Sequence, residues 1–360
     1  MSNSPLKIGI VGAGIGRTHI RSYQLLPNEA QVVALCDVNE ARLHETGDEY
    51  RIPLRYTDYQ EMFASGEVEA VSVCLPNSLH GPVSIAALEA GLHVLCEKPL
   101  ADTLVAGQGV VEAAATASGK FMICFNRRYR TDIRWMKEML DAGSLGQVYQ
   151  VKAGWVRETG IPSGWFTNKG LAGGGPLIDL GVHMLDAVMW LLDYPQPLTV
   201  SGAVQNHFGP RGLKTWVWHR RNATGDFTVE DSATAFIRLA GGISLNLETS
   251  WASHARPGQD DFYITLFGTE GTIELYVKNY AAEGTLTFYT ELNGGPVTTQ
   301  PSVKGAQTDH EYAIAEFVRC VREDTPPTAP AEEGQTIMQI IDAIYRSAEV
   351  GREVVLAEAA

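Results

Sequence analysis

A short apolar run, Lys7–Val11, passes directly into Gly12-Ala13-Gly14-Ile15-Gly16-Arg17, and the amphipathic stretch Arg17–Leu26 follows. This strand, glycine loop and helix in sequence constrain the chain more than any other feature. Glycines at such a junction permit a tight turn and let backbone N–H groups approach a pyrophosphate at a helix N-terminus. The next apolar run, Gln31–Cys36, ends at Asp37, about 20 residues beyond the loop. A carboxylate there can accept hydrogen bonds from the adenosine ribose hydroxyls and repels a 2′-phosphate. The pattern therefore points to a dinucleotide site that prefers NAD to NADP, because Val38 rather than a basic residue follows Asp37. Gly12, Gly14, Ile15, Gly16 and Asp37 are the expected cofactor contacts, with Asn39 and Arg42 as further candidates. One departure stands out. The usual spacing puts the third small residue at position 17, which is Arg, and Gly16 comes one residue early.

Further apolar runs, Ala70–Leu75, Leu92–Cys96 and Phe121–Cys124, alternate with helical patterns such as Gly81–Ala90 and Leu104–Ala117. Runs without polar alternation suit strands buried on both faces, so the first third reads as a doubly wound parallel α/β sheet. After about residue 125 the pattern changes. A long apolar helix near Leu177–Leu192 is followed by alternating strand-like runs from Leu198 to Phe288, and helices return at Glu311–Arg322 and Thr336–Val350. The expected division is residues 1–124 as an NAD-binding domain and 125–360 as an α+β substrate-binding and oligomerisation domain. With 360 residues, of which 45% are apolar and 19% charged, the chain can bury a sizeable core. Its 42 acidic against 28 basic residues, a net charge of −14, argue against a nucleic-acid partner. No apolar run reaches the roughly 18–20 residues of a membrane span. A signal-type start is lacking, so no membrane partner is expected and the cytoplasm is the expected compartment. The five cysteines form no C-x-x-C pair and read as buried free thiols.

Chemistry-bearing residues gather in three places. Leu95-Cys96-Glu97-Lys98-Pro99 ends the fifth strand, where open α/β sheets place their ligand crevice. The proline there restricts the direction of Lys98. Pro76, Asn77 and His80 follow the fourth strand and either border the same crevice or cap the next helix. In the second domain, Gly173-Gly174-Gly175 precedes Asp179 and His183, four residues apart and so on one helical face. A carboxylate beside an imidazole suits the removal of a hydroxyl proton. A buried structural pair or half a metal site would look the same, and with no further His or Cys at ligand spacing no metal is expected. Asp186 lies in the same neighbourhood. Arg127, Tyr129, Arg157 and Trp165 are candidate substrate contacts, while Trp251 and His254 end a strand with no assigned role.

Together, Gly12-Ala13-Gly14, Glu97-Lys98-Pro99 and Gly173-Gly174-Gly175…Asp179…His183 resemble the glucose–fructose oxidoreductase, inositol dehydrogenase and rhizopine-catabolism (Gfo/Idh/MocA) family. The likeness extends to Val229-Glu230-Asp231-Ser232, to Phe267-Gly268-Thr269-Glu270-Gly271-Thr272 and to Ala343-Ile344-Tyr345-Arg346-Ser347-Ala348. The resemblance implies an N-terminal Rossmann domain and a C-terminal domain with a large, mostly antiparallel open sheet, often used for homodimer or homotetramer contacts. It implies catalytic roles for Lys98, Asp179 and His183, with Glu97 and Lys98 also meeting the cofactor. The substrate would be a carbohydrate or cyclitol, oxidised at a secondary hydroxyl by an NAD-dependent dehydrogenase. Two other outcomes share these residues: NAD-retaining glycoside cleavage or isomerisation, and a non-catalytic NAD sensor. The acidic balance favours a neutral carbohydrate over a phosphorylated one.

Overall fold

The computed structural model describes residues 4–216, 227–303 and 309–357. Six strands form the first sheet: β1 (Leu6–Val11), β2 (Ala30–Cys36), β3 (Leu54–Tyr56), β4 (Ala70–Val73), β5 (His93–Cys96) and β6 (Phe121–Ile123). All neighbours run parallel in the order β3-β2-β1-β4-β5-β6, the doubly wound arrangement that the alternating pattern predicted. Between them lie α1 (Gly16–Gln24), α2 (Glu40–Glu49), α3 (Tyr59–Ala64), α4 (His80–Glu89) and α5 (Leu104–Thr116). Side chains start three of these helices. Asn39 accepts from the Arg42 N–H, Asp58 from that of Gln60, and Thr103 from that of Ala106. The strands are covered on both faces, so Ile8, Ile10, Val71, Val94 and Leu95 are fully buried, each worth about 1.5–3 kcal/mol of transfer free energy.

The second sheet follows α6 (Thr131–Asp141). It begins with β7 (Val148–Arg157), continues through α7 (Lys169–Ala172), a π turn at Leu177–Gly181 and α8 (Val182–Leu191), and then gains most of its strands. These are β8 (Pro197–Gln205), β9 (Ser232–Leu239), β10 (Ser244–Ser250), β11 (Asp260–Gly268), β12 (Gly271–Lys278), β13 (Leu286–Leu292) and β14 (Gly295–Thr299). β13 and β14 form a hairpin whose turn residues, Asn293 and Gly294, both have positive φ; this Asn-Gly turn is one that two-residue hairpins favour. Last come α9 (Asp309–Arg322), α10 (Ala331–Val350) and β15 (Val354–Val355). The sheet order is β14-β13-β12-β11-β7-β10-β9-β8-β15, with β7 and β10 parallel and every other pair antiparallel. Along β9, Ala233, Ala235, Ile237 and Leu239 face inward in strict alternation. α8 is buried nearly all round, as an apolar core helix must be.

Two compact units result. One is Met1–Asn126 with Thr308–Met338, and the other is Arg127–Gln307 with Gln339–Ala360. The segment carrying α9, which the sequence offered to the second domain, packs on α1 of the first. All five cysteines are free and buried. Among the described residues, no helix is long and apolar enough to cross a membrane.

Candidate active site

In the first unit, the three loop glycines have three different duties. Gly12 has φ +97°, and a Cβ there would lie 2.2 Å from the Cys74 carbonyl oxygen. A Cβ on Gly16 would press within 2.8 Å of an Ile10 methyl, so Gly16 permits the close helix–strand contact despite its early position. Around Gly14 a Cβ would meet nothing within 4 Å, which leaves the backbone open on the side where a pyrophosphate would approach. Arg17 is turned away from the loop. It hydrogen-bonds Thr46 and pairs with Glu49 at 3.0 Å on α2. The residues therefore fit a dinucleotide.

Asp37, 5% exposed, closes the same loop by accepting the Ala13 N–H at 2.9 Å and the Asn39 N–H at 2.8 Å. Arg42 forks onto both carboxylate oxygens, at 2.9 and 2.8 Å. Burial alone would raise the Asp37 pKa. The Arg42 fork and the two amides outweigh it, and the net direction is down. The candidate adenosine carboxylate thus carries a guanidinium counter-charge, itself half exposed.

At the ends of β4 and β5, His80 bridges two loops, with Nδ1 2.7 Å from the Pro99 carbonyl and Nε2 2.9 Å from that of Leu75. Burial pushes its imidazole below the usual histidine value. It holds the loops carrying Pro76, Asn77, Glu97 and Lys98 rather than reaching outward. Asn77 is buried in the short turn before α4, and Lys98 is half-buried. The Glu97 carboxylate points inward onto His19 and His310. Neither histidine had any sequence signal pairing it with this strand end.

In the second unit, the glycine run is explained by close approach. A Cβ on Gly174 would sit 1.9 Å from the Tyr345 hydroxyl oxygen, and one on Gly175 would sit 2.0 Å from the Glu230 carbonyl. The Glu230 side chain accepts the Gly175 and Leu177 N–H groups at 2.9 and 3.1 Å, and Tyr345 donates to it at 3.0 Å. A carboxylate at a helix start satisfies orphan amides and complements the dipole. Thus the three separated strings Gly173–Gly175, Val229–Ser232 and Ala343–Ala348 meet at one point and fix where the helix begins.

From that start the chain makes one π turn, Leu177–Gly181, then the α-helix carrying His183. Such widened turns occur frequently at functional sites. Asp179 lies within the turn, and its Oδ2 accepts the indole N–H of the fully buried Trp251 at 2.9 Å. His183 is 7% exposed, with its ring 5.7 Å from that of Trp155. Around them, Arg127 stacks on Trp155 and Phe262 at 4.9 and 5.3 Å. Arg157 stacks on Trp155 and Trp216, pairs with Asp260 at 3.1 Å and donates to the Tyr280 hydroxyl at 2.9 Å. Trp165 is half-exposed and stacked on Phe166, while Tyr129 is buried under Arg134. Asp186 is a structural group. Its buried carboxylate takes the fork of Arg128 and the Tyr194 hydroxyl.

Residues 6–125 match the family described as "Oxidoreductase family, NAD-binding Rossmann fold", and residues 133–274 match its "GFO/IDH/MocA C-terminal domain". The chain belongs to the Gfo/Idh/MocA oxidoreductases. A D-glucoside 3-dehydrogenase of Escherichia coli is 33% identical over 360 residues, spanning 99% of both chains. A D-xylose 1-dehydrogenase (NADP(+)) of Haloferax volcanii is 28% identical over 98% of this chain and 100% of its own. In fold, the chain superposes on a levoglucosan dehydrogenase solved with NADH and levoglucosan, with a TM-score of 0.85 at 21% identity over 99% of this chain and 100% of that one. Within this family frame, the first unit is an NAD(P)-binding Rossmann domain.

The sequence-predicted residues thus fall into two sets. Gly12, Gly14, Ile15, Gly16, Asp37, Pro76, Asn77, His80, Glu97 and Lys98 are in the first unit, and Arg127, Tyr129, Arg157, Trp165, Asp179 and His183 in the second. Sequence reasoning missed the bracing residues His19, His310, Tyr280 and Asp260, and left Trp251 without a role. Their partners are distant in the chain, so no local pattern marks them.

Proposed function

We propose that this protein is an NAD-dependent oxidoreductase acting on a secondary hydroxyl, or the corresponding ketone, of a sugar, sugar derivative or cyclitol. Lys98, Asp179 and His183 are its catalytic residues. One observation carries the reading: an aspartate in a widened helical turn, its carboxylate braced by a buried indole, and a histidine in the helix that follows it, in a chain with a dinucleotide loop. A bound nicotinamide dinucleotide supplies the hydride acceptor and donor. The chain's own groups do the rest. His183 takes the hydroxyl proton as the carbon is oxidised and returns it in the reverse direction. Asp179 orients the imidazole and substrate, and Lys98 directs the hydroxyl and assists the proton transfer.

The cofactor rests on Gly12, Gly14, Ile15, Gly16 and Asp37, with Pro76 and Asn77 on its nicotinamide side, while His80 and Glu97 act from behind by holding the loops there. NAD is preferred because the Asp37 charge opposes a 2′-phosphate, and Arg42 moderates that opposition. Arg127 and Trp165 contact the sugar directly, while Tyr129 and the internally paired Arg157 shape the surface behind them. The name of the full-length glucoside dehydrogenase relative supports a carbohydrate substrate. Free buried thiols suit work in the cytoplasm. The outer face of the nine-stranded sheet, lined by Lys152, Phe236, Asn246, Glu248 and Tyr263, receives a second copy of the chain in a homodimer or homotetramer. Its Lys152 and Glu248 offer complementary charges to a symmetry-related face.

The test is a screen of inositols, aldoses, anhydrosugars and glycosides with NAD and with NADP, following both reduced cofactor and released products. Reduced NAD in step with a ketone product is the expected result. A released sugar without net reduced cofactor overturns the dehydrogenase outcome, and no turnover with any carbohydrate overturns the reading. Sedimentation of the wild type and of Phe236→Glu checks the assembly; a monomeric wild type removes it.

A further inference from the structure

Beneath Lys98, the first unit buries a cluster whose members come from four separate stretches: His19, Glu97, Cys124 and His310, each with one donor or acceptor atom within 4.8 Å of all the others. Glu97 is its centre. Oε1 accepts from His19 Nε2 at 2.8 Å and from His310 Nε2 at 3.2 Å, and the Cys124 thiol also hydrogen-bonds the carboxylate. Oε2 accepts the backbone N–H of Lys98 itself at 3.3 Å. The tautomers follow from the second nitrogens. Asn126 Nδ2 donates to His310 Nδ1 at 3.2 Å, and His19 Nδ1 is buried with no partner, so both rings present Nε2–H to the carboxylate. Burial would raise the Glu97 pKa. The two histidines outweigh it and hold the carboxyl well below its usual range, so the buried group is an anion.

Burying a lone carboxylate is costly unless it is surrounded by donors. Here three side chains supply them, one from α1, one from the end of β6 and one from α9, and the group they stabilise reaches the main chain at Lys98. On the far side of Lys98, the Pro99 carbonyl is held by His80. A metal centre with this donor set would need tetrahedral ligand atoms about 3.4 Å apart for bonds near 2.1 Å. The 2.8 Å His19–Glu97 separation is that of a hydrogen bond instead.

We propose that Glu97 is a positioning residue for Lys98, and that His19 and His310 form the clamp that fixes it. The lysine proposed for catalysis is thereby aimed from a buried anion, and α9 brings the last part of that clamp from late in the chain. This inference rests on the reading of Lys98 as a catalytic residue, and the test separates the two.

The experiment compares His310→Phe and His310→Gln, each in the wild-type and Lys98→Ala backgrounds, measuring kcat, sugar KM, NAD affinity and bound metal. His310→Phe is expected to lower kcat roughly ten- to hundredfold with little change in KM or NAD affinity. His310→Gln keeps a donor toward Glu97 and an acceptor toward Asn126, and is expected to recover most of that loss. In the Lys98→Ala background, His310→Phe is expected to add nothing. The same fold-loss in both backgrounds overturns the proposal in favour of a merely structural role. Weakened NAD affinity with unchanged kcat assigns the cluster to cofactor binding. Stoichiometric zinc whose removal abolishes activity makes it a metal centre. Full turnover by Lys98→Ala alone removes the underlying reading instead. If His310→Phe does not fold, Asn126→Ala, which takes away only the partner that fixes the His310 tautomer, is expected to give a smaller loss with the same pattern; additive behaviour there overturns the proposal equally.

Discussion

Glu97 in the first unit and Glu230 in the second are buried to the same degree, each 6% exposed, yet they are pushed in opposite directions. For both, burial is the largest influence and raises the pKa. At Glu97 the neighbouring imidazoles reverse it, and the net shift is strongly down. At Glu230 the Gly175 and Leu177 amides and the Tyr345 hydroxyl do not suffice, and the net shift is up. The difference lies in the donors. Two imidazole rings converge on Glu97 and favour its ionised form, whereas Glu230 meets only main-chain amides and a phenol. One unit therefore keeps a firm anion under its lysine, and the other uses a softer carboxylate as a helix cap that locates Asp179 and His183.

The largest expected effect tests the cap. Gly175→Ala would place a Cβ 2.0 Å from the Glu230 carbonyl oxygen and should cost about 2–4 kcal/mol of stability or prevent folding. Gly14→Ala, with open space around it, should leave the melting temperature unchanged while weakening dinucleotide binding. Calorimetry and cofactor titration check the pair; equal melting losses would end the distinction drawn between the two glycine runs.

A smaller effect is expected at the Asp179 brace. Trp251→Phe removes the indole N–H and keeps most of the ring, so kcat should fall roughly ten- to hundredfold, the value of one hydrogen bond to a charged group. An unchanged kcat would show that Asp179 needs no such orientation.

The two glutamates also predict opposite pH slopes. A depressed folded-state pKa gives Glu97 a stabilising contribution that is present above the unfolded value, near 4.5, and is lost as the pH falls. A raised one gives Glu230 a contribution that is present below that value and is lost as the pH rises through the folded value. As the pH falls below about 4.5, the melting deficit of Glu97→Gln relative to wild type should narrow, and as the pH rises above about 4.5 that of Glu230→Gln should shrink. Parallel curves would break the comparison.

The smallest effect concerns cofactor choice. Arg42→Ala removes the counter-charge from Asp37, so NADP affinity should drop while NAD affinity stays within about threefold. Stronger NADP binding in the variant would contradict the role given to Asp37.

The parts legible in the sequence were those written locally. The glycine loop, Asp37 and the alternation of strands and helices each depend on neighbours in the chain, and the parallel sheet came out as expected. Asp179 and His183 were singled out by their spacing. The π turn that widens their helix was not, because it arises from packing rather than from a residue type. Trp251, His310 and Tyr345 act across long chain separations, where periodicity carries no information. The strand Gly295–Thr299 also escaped, although Asn293-Gly294 is a hairpin signal. The proline and exposed threonines that follow it gave no apolar alternation to read.

The most direct measurement is turnover by Lys98→Ala and His183→Ala with whichever carbohydrate the wild type oxidises, alongside NAD affinity measured by titration. Both variants are expected to bind NAD as the wild type does and to lose roughly a hundred- to ten-thousandfold in kcat. Retention of full turnover by either one would contradict it.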